Sequence, residues 1–329
     1  MGTSEVQKEI VVSIIVVTYN AAKFVIETLE SAKAQTWQNV ELIISDDCSA
    51  DNTVEICSNW IANNKDRFAR TAIITVPQNT GVSANCNRCI KASNADWIKL
   101  IAGDDILLPN CIEYNIKFIG ENPDASIIFS QVIIYQDDFS EEKFVVAEPD
   151  KYPMNLMDPS FDNSHQYKLL LLSDRINYTP SYFFKKQALL DVGCYEEENK
   201  LVEDYPMWLK LTKAGNKLFY FHQPTVGYRR HQKALNNIND EGLFKPLLLK
   251  SAALKEKYVF PYLPWDIVGS EKHVLLVSKL FQQMGMNRNT LLLTMLYKIA
   301  TVFLNPFRYI IFIKKRILKM GNHNIFYAN

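Results

Sequence analysis

The sequence predicts an α/β fold built on an open, mainly parallel sheet, and three observations predict it. Val11–Thr18 (VVSIIVVT) is an uninterrupted, β-branched run, the pattern of a strand covered on both faces. Strand-like and helix-like segments alternate four times in the first hundred residues, which builds right-handed βαβ units. Of the 329 residues, 48% are hydrophobic and 22% charged, enough core for a soluble chain of about two domains.

Each element follows from its own residues. After the first strand, Ala22–Gln35 reads as a helix, Val40–Ser45 (VELIIS) as a second strand and Asp51–Asn63 as a helix with Asp51 as its N-cap. Ala72–Val76 reads as a third strand, Gly81 as a turn, Val82–Ala92 as a helix, and Trp97–Ala102 (WIKLIA) as a fourth strand running into Gly103-Asp104-Asp105. Beyond Pro109 a helix over Asn110–Glu121 and a strand over Ala125–Ile134 are expected. Asp137–Ser164 is acidic, contains proline and lacks periodicity, so it reads as loops over a site. A helix near Gln166–Leu172, a strand near Ser181–Lys185, a helix over Tyr205–Ala214 and strands near Lys217–Phe221 and Val226–Arg229 complete a body of residues 1–235. Residues 236–329 read as a helical extension.

Several functional classes are excluded at once. None of the 11 glycines lies two residues from another, so neither a G-x-G-x-x-G loop nor a Walker A cradle can be written. The zero net charge averages two unlike regions, because no Asp or Glu follows Glu271. Residues 273–329 carry eight Lys/Arg, which leaves 28 basic against 36 acidic residues, a net of about −8, in the remainder. Such a body argues against a nucleic-acid partner. The six cysteines and the absence of a signal-peptide pattern at the N-terminus lead us to expect reduced thiols and a cytoplasmic location. Cys86 and Cys89 form a lone C-x-x-C with no second pair at zinc-finger spacing, and they read as small buried helix residues.

Asp46-Asp47 follows the second strand and Asp104-Asp105 the fourth, so both pairs fall on the carboxyl edge of one parallel sheet, where ligands of such sheets bind. Adjacent carboxylates disfavour each other's ionised form unless something cationic or hydrogen-bond-donating meets them. A divalent cation with oxygen ligands, Mg²⁺ or Mn²⁺, or a ribose and base, satisfies such a cluster. Helix capping is the alternative use of either pair alone.

With these residues in view, the chain resembles the nucleotide-sugar glycosyltransferases of family 2, with a GT-A-type fold. Four stretches carry the resemblance: Val11–Asn20 (VVSIIVVTYN), Ser45–Thr53 (SDDCSADNT), Asn79–Asn87 (NTGVSANCN) followed by Trp97–Pro109 (WIKLIAGDDILLP), and Val202–Leu209 (VEDYPMWL). The resemblance implies a nucleotide-binding half at about 10–105 and an acceptor half at about 106–235. It implies that Thr18, Tyr19 and Asn20 line the nucleotide pocket, that Asp47 hydrogen-bonds the base, that Asp104 faces the ribose and that Asp105 binds Mn²⁺ or Mg²⁺. His231, in Tyr228-Arg229-Arg230-His231, falls where some members place a further metal contact. Asp204 resembles the catalytic base, with Glu203 and Trp208 toward the acceptor, and Tyr182 and Phe183 are further aromatic candidates for a sugar face. One departure is plain: Cys86 stands where the family has Arg, and Arg88 lies about 200° round a helix from it, so direct substitution is not expected.

The implied activity is inverting transfer of a sugar from a nucleotide diphosphate donor, on family grounds a UDP-sugar, to a hydroxyl of a glycan or lipid-linked glycan in surface polysaccharide synthesis. Two other readings are a carboxylate-dependent glycoside hydrolase and a non-catalytic, membrane-associated sugar-nucleotide-binding module. In the extension, Leu291–Leu296, Ile299–Leu304 and Tyr309–Ile313 are apolar and interspersed with Lys and Arg, and Asn305-Pro306 interrupts them. No apolar run reaches spanning length, so two short amphipathic helices divided at Pro306 and resting on an anionic membrane surface, at its cytoplasmic face, are expected.

Overall fold

A computed structural model describes residues 10–198, 204–231, 242–244, 248–249, 251–319 and 325–327. The chain divides into two compact units, Met1–Tyr167 with Arg175–Ala234, and Lys168–Asp174 with Leu235–Asn329.

In the first unit, Val12–Thr18 (β1), Val40–Asp46 (β2), Arg70–Thr75 (β3) and Trp97–Ala102 (β4) pair in parallel in the order β3-β2-β1-β4. Every residue of β1 and β2 is buried, which is why both read as largely apolar runs rather than alternating ones. Full burial of each Ile or Val side chain there contributes roughly 1.5–3 kcal/mol. The helices Val25–Lys33 (α1), Thr53–Asn64 (α2) and Val82–Ala92 (α3) make the crossovers. Helix α1 begins three residues later than predicted, because Phe24 and Val25 both donate to the Ala21 carbonyl in a preceding turn. Asp51 sits one residue before the N-cap position of α2, yet its carboxylate accepts from the Thr53 N–H at 3.0 Å and the Ala22 N–H at 3.2 Å.

The sheet continues as β4-β8-β6-β9-β5, with β7 added to β6, through Ile106–Leu107 (β5), Ile127–Gln136 (β6), Phe144–Glu148 (β7), Phe183–Lys185 (β8) and Leu218–Arg230 (β9). Strand β8 is antiparallel to both β4 and β6, whereas β6 and β9 run parallel. Cys111–Glu121 (α4), Met154–Met157 (α5), Asn163–Leu172 (α6), Lys186–Asp191 (α7) and Asp204–Lys213 (α8) follow in chain order between these strands.

Two expectations are corrected here. The stretch read as loops contains β7, an antiparallel neighbour of β6. The two strands read near 217–229 are one strand, β9, whose register against β6 shifts around Gln131 and Pro224. An irregularity is where a residue without an N–H can sit in a ladder.

The second unit is helical. Ala252–Tyr258 (α9) and Trp265–Gln283 (α10) are followed by Leu291–Lys298 (α11), a π-helical turn at Ile299–Phe303, and Pro306–Lys319 (α12). Asp266 of α10 is fully buried and receives the Tyr327 hydroxyl at 2.7 Å and Lys314 Nζ at 3.1 Å. The Asn305 side chain donates to Ser270 Oγ at 3.1 Å. The segments Leu291–Phe303 and Pro306–Ile317 meet at a 54° bend. Among the described residues no single helix is long and apolar enough to cross a membrane.

Candidate active site

The carboxyl ends of β1, β2 and β4 lie side by side, and each contributes residues singled out from the sequence. Thr18 is buried and donates its hydroxyl to Asp46 Oδ2 at 2.9 Å. Gly103 packs so closely on β1 that a Cβ there would lie 2.7 Å from Thr18 Cγ2, which restricts the position to glycine. Beyond Thr18 the chain turns outward. Tyr19 is 53% exposed, and Asn20 takes a positive φ of 50° while its Oδ1 accepts from the Ala50 N–H at 2.8 Å. Short polar side chains tolerate this conformation because they bond locally. The β1 and β2 loops are thereby joined, with an aromatic ring standing at their rim.

Asp47, expected to meet the base, is held by protein donors. It is buried, and its carboxylate accepts from the Thr80 hydroxyl at 2.6 Å, the Gly81 N–H at 2.7 Å and Arg88 Nη2 at 2.8 Å. Burial raises its pKa, but those hydrogen bonds and that of the Thr80 N–H outweigh it and hold the group below its ordinary 3.8. With its oxygens so engaged, Asp47 ties the 80–81 turn to β2 in this conformation and does not present an open acceptor to a base. Arg88 also bonds Thr80 Oγ1 at 2.7 Å and Asn85 Oδ1 at 3.0 Å. Its long side chain reaches back to Asp47 from the flank of α3, a reach that a helical-wheel angle does not capture. Cys86 and Cys89 are both buried and unbridged, and burial pushes Cys89 up to about 12.

The two members of the second acid pair face opposite ways. Asp105 is 2% exposed, and its Oδ1 accepts the backbone N–H of Arg229 at 2.8 Å. Burial, and next the charge of Asp104, push Asp105 well above the usual carboxylate range. The Asp104 side chain is 33% exposed, and its Oδ2 lies 3.0 Å from His231 Nε2. The structure therefore turns Asp104 to the open side, brings His231 beside it, and buries Asp105, the residue the resemblance assigns to the cation.

Arg229, which the sequence reading did not single out, builds this corner. Its Nε donates to the Asp104 carbonyl at 2.8 Å, Nη1 to the Asp137 carbonyl at 2.8 Å and Nη2 to Glu27 at 2.9 Å. The guanidinium lies between the Phe24 and Phe139 rings, 4.6 and 4.2 Å from their centroids. An arginine closing a strand beside an acid pair was the signal available.

A third group lies at the start of α8. Asp204 is half-buried there, and its charge is one of the influences on Tyr182, whose pKa is raised chiefly by burial and then by Tyr195. The two hydroxyls, of Tyr182 and Tyr195, are 2.6 Å apart, and Tyr195 is held by both side-chain ends of Asn87. Trp208 is 1% exposed and packs edge-on against Phe129 and Tyr182. Trp208, Tyr182 and Phe183 thus belong to the core, which corrects their expected contact with a sugar. Glu203 lies outside the described residues.

Among the described residues no three His, Cys, Asp or Glu side chains converge as a metal cage. The Asp104–His231 pair offers one oxygen and one nitrogen donor. That set fits a divalent cation only where substrate phosphates or waters supply the remaining ligands, the usual arrangement for Mg²⁺ and related ions at diphosphates.

The model of the family described as Glycosyl transferase family 2 matches residues 13–185. An uncharacterized glycosyltransferase of Rickettsia typhi is 27% identical over 248 residues, covering 73% of this chain and 72% of the relative. The crystal structure of S. aureus TarS 1-349 in complex with UDP-GlcNAc matches at a TM-score of 0.56 and 17% identity, over 90% of this chain and 81% of that one. A second TarS 1-349 structure matches at a TM-score of 0.50 and 20% identity, and there the match spans 66% of this chain and 60% of that one. The mixed α/β fold, with its mainly parallel sheet and flanking helices, is of the GT-A type, and C-terminal helices follow it.

Proposed function

We propose, for a chain that belongs to glycosyl transferase family 2 and is a glycosyltransferase, that it moves a sugar from a UDP-sugar to a hydroxyl of a glycan or lipid-linked glycan, with inversion. Family membership sets aside the hydrolase and non-catalytic readings. The observation that carries the finer proposal is the pairing of Asp104 and His231 at 3.0 Å, one residue from the end of β4's turn and the other just past β9.

In this reading the nucleotide lies along the β1 end, where the exposed ring of Tyr19 offers a stacking face and Thr18 and Asn20 fix the loop beneath it. Asp104 and His231 would hold Mn²⁺ or Mg²⁺. Such an ion, when bound, offsets the charge that builds on the leaving diphosphate. Arg229 keeps Asp104 outward by gripping its carbonyl, and keeps Asp105 inward through its N–H. The acceptor oxygen attacks the anomeric carbon as the bond to the diphosphate breaks, and its proton passes to Asp204, a contribution of typically about 10²–10⁴-fold. A lipid-linked acceptor is the member of that class that suits the apolar, cationic extension, and surface polysaccharide synthesis is the setting we propose.

Incubation with a panel of UDP-sugars and Mn²⁺, with thermal stability and UDP release as readouts, tests this. A donor that raises the melting temperature only with the cation present is expected. Stabilisation by GDP-sugars alone would refute the nucleotide assignment.

A further inference from the structure

The exposed surface of the C-terminal unit differs from that of the catalytic unit. Among the described residues, 22 large hydrophobic side chains are exposed, and 16 of them lie between Tyr262 and Ile317. On α11, Leu291 is 82% exposed, Leu292 and Met295 extend the same stripe at helical spacing, and Ile299 of the following π-helical turn continues it. On α12, Tyr309, Phe312, Ile313 and Ile317 repeat it at i, i+3, i+4 and i+8, all more than half exposed. Exposed apolar stripes of this kind mark an interaction site.

The opposite face of the same segment is fixed to α10. Lys314 is paired with Asp266, Asn305 is bonded to Ser270, and Phe307 lies so close to Gly269 that a Cβ there would meet its ring at 2.4 Å. The apolar stripe is therefore held outward by buried polar contacts beneath it. Its charge is of one sign. Arg288, Lys298, Arg308 and Arg316 are exposed around it, and no acid follows Glu271.

We propose that α11 and α12 lie in the interface of an anionic lipid bilayer, with the apolar stripe among the acyl chains and the surrounding cations on the lipid headgroups. The bend argues for lying rather than spanning. Leu291–Phe303 and Pro306–Ile317 reach spanning length only together; alone they measure roughly 20 and 18 Å at 1.5 Å per residue, against about 30 Å of hydrocarbon, and a 54° bend turns one away from the axis of the other. Charge argues against a second copy, since this face set against itself would bring Arg308 and Arg316 toward their equivalents with no carboxylate between them. Basic residues around an apolar face are what an anionic headgroup layer attracts. The inference does not depend on the transfer chemistry.

Flotation of the full chain with phosphatidylcholine vesicles, with and without phosphatidylglycerol and at low and high salt, tests it. The protein is expected to float with the anionic vesicles and to bind at least roughly ten-fold less without phosphatidylglycerol, at high salt, or after Arg308→Gln with Arg316→Gln. Phe312→Glu with Leu292→Glu, both at exposed positions, should release it equally while leaving the melting curve and nucleotide binding intact. No flotation, flotation indifferent to lipid charge, or full binding by the Glu variant would each overturn the proposal. So would a dimer that the Glu variant dissociates in a chain that ignores vesicles.

Discussion

Arg229 donates its backbone N–H to Asp105 Oδ1 at 2.8 Å, joining residues 124 positions apart in the chain. The same residue's guanidinium holds the Asp104 carbonyl. One position on β9 therefore decides which of two adjacent carboxylates turns inward, and the neighbour that remains outside meets His231.

Asp104→Asn should abolish the cation-dependent part of UDP binding, and His231→Ala should weaken it, while Asp105→Asn keeps it. Titration calorimetry with and without Mn²⁺ separates the three. Equal loss in the Asp104 and Asp105 variants would return the cation to both carboxylates.

The raised pKa of Asp105 has a stability consequence. The folded state holds its proton to higher pH than the unfolded chain does, so stability should fall as pH rises above the ordinary 3.8 toward the raised folded value. Asp105→Asn, which retains an oxygen for the Arg229 N–H, should gain on wild type as pH rises through that window in urea melts. A constant difference between the two proteins would contradict this.

Asp204→Asn is expected to cut transfer by about 10²-fold or more with donor affinity unchanged. UDP release and donor binding, measured on one preparation, check it; near-wild-type turnover would remove Asp204 from the role of base.

Arg88→Met leaves the buried Asp47 carboxylate without its charged partner, at a cost on the order of 3 kcal/mol. Because Asp47 is depressed below 3.8 in the folded state, its contribution is complete above that value and is lost as pH falls through the lower folded one. Acid melts of the Arg88 variant should accordingly be shallower between neutral pH and pH about 3 than those of wild type.

Lys99 is buried on β4, donates Nζ to the Pro180 and Tyr182 carbonyls at 2.6 and 3.1 Å, and is pushed by burial from 10.5 down to about 8. Between those values the unfolded chain binds the proton more tightly, so stability from this group should rise with pH, by up to about 3 kcal/mol. Relative to Lys99→Met, wild type should gain between pH 8 and 10.5; parallel urea-melt curves would show that the burial does not perturb it.

The parts of the fold that could be read from sequence are those where one residue pattern has one structural meaning. Strands β1, β2 and β4 are covered on both faces, so their runs are mostly apolar and their ends fall near the acids that follow. Strand β7 lies in an acidic stretch, and Phe144 and Val145 are exposed, so no apolar alternation announces it. Strand β9 contains Gln223-Pro224, which locally reads as a break and is absorbed instead by a register shift against β6. The acid pairs were legible for the same reason as the strands. Which acid faces outward was not, because that is set by Arg229, a contact no local window contains. The reach of Arg88 to Asp47 was hidden likewise, since it depends on the 80–81 turn folding over β2.

The Arg229 clamp also sets a timetable for synthesis. A ribosome that has delivered the chain only through β8 has supplied the partners for β1 to β4 but neither the N–H that Asp105 accepts nor the imidazole beside Asp104. Until residue 231 has emerged, a nascent chain carries both aspartates without their counterparts, so this corner is completed as a late event in translation.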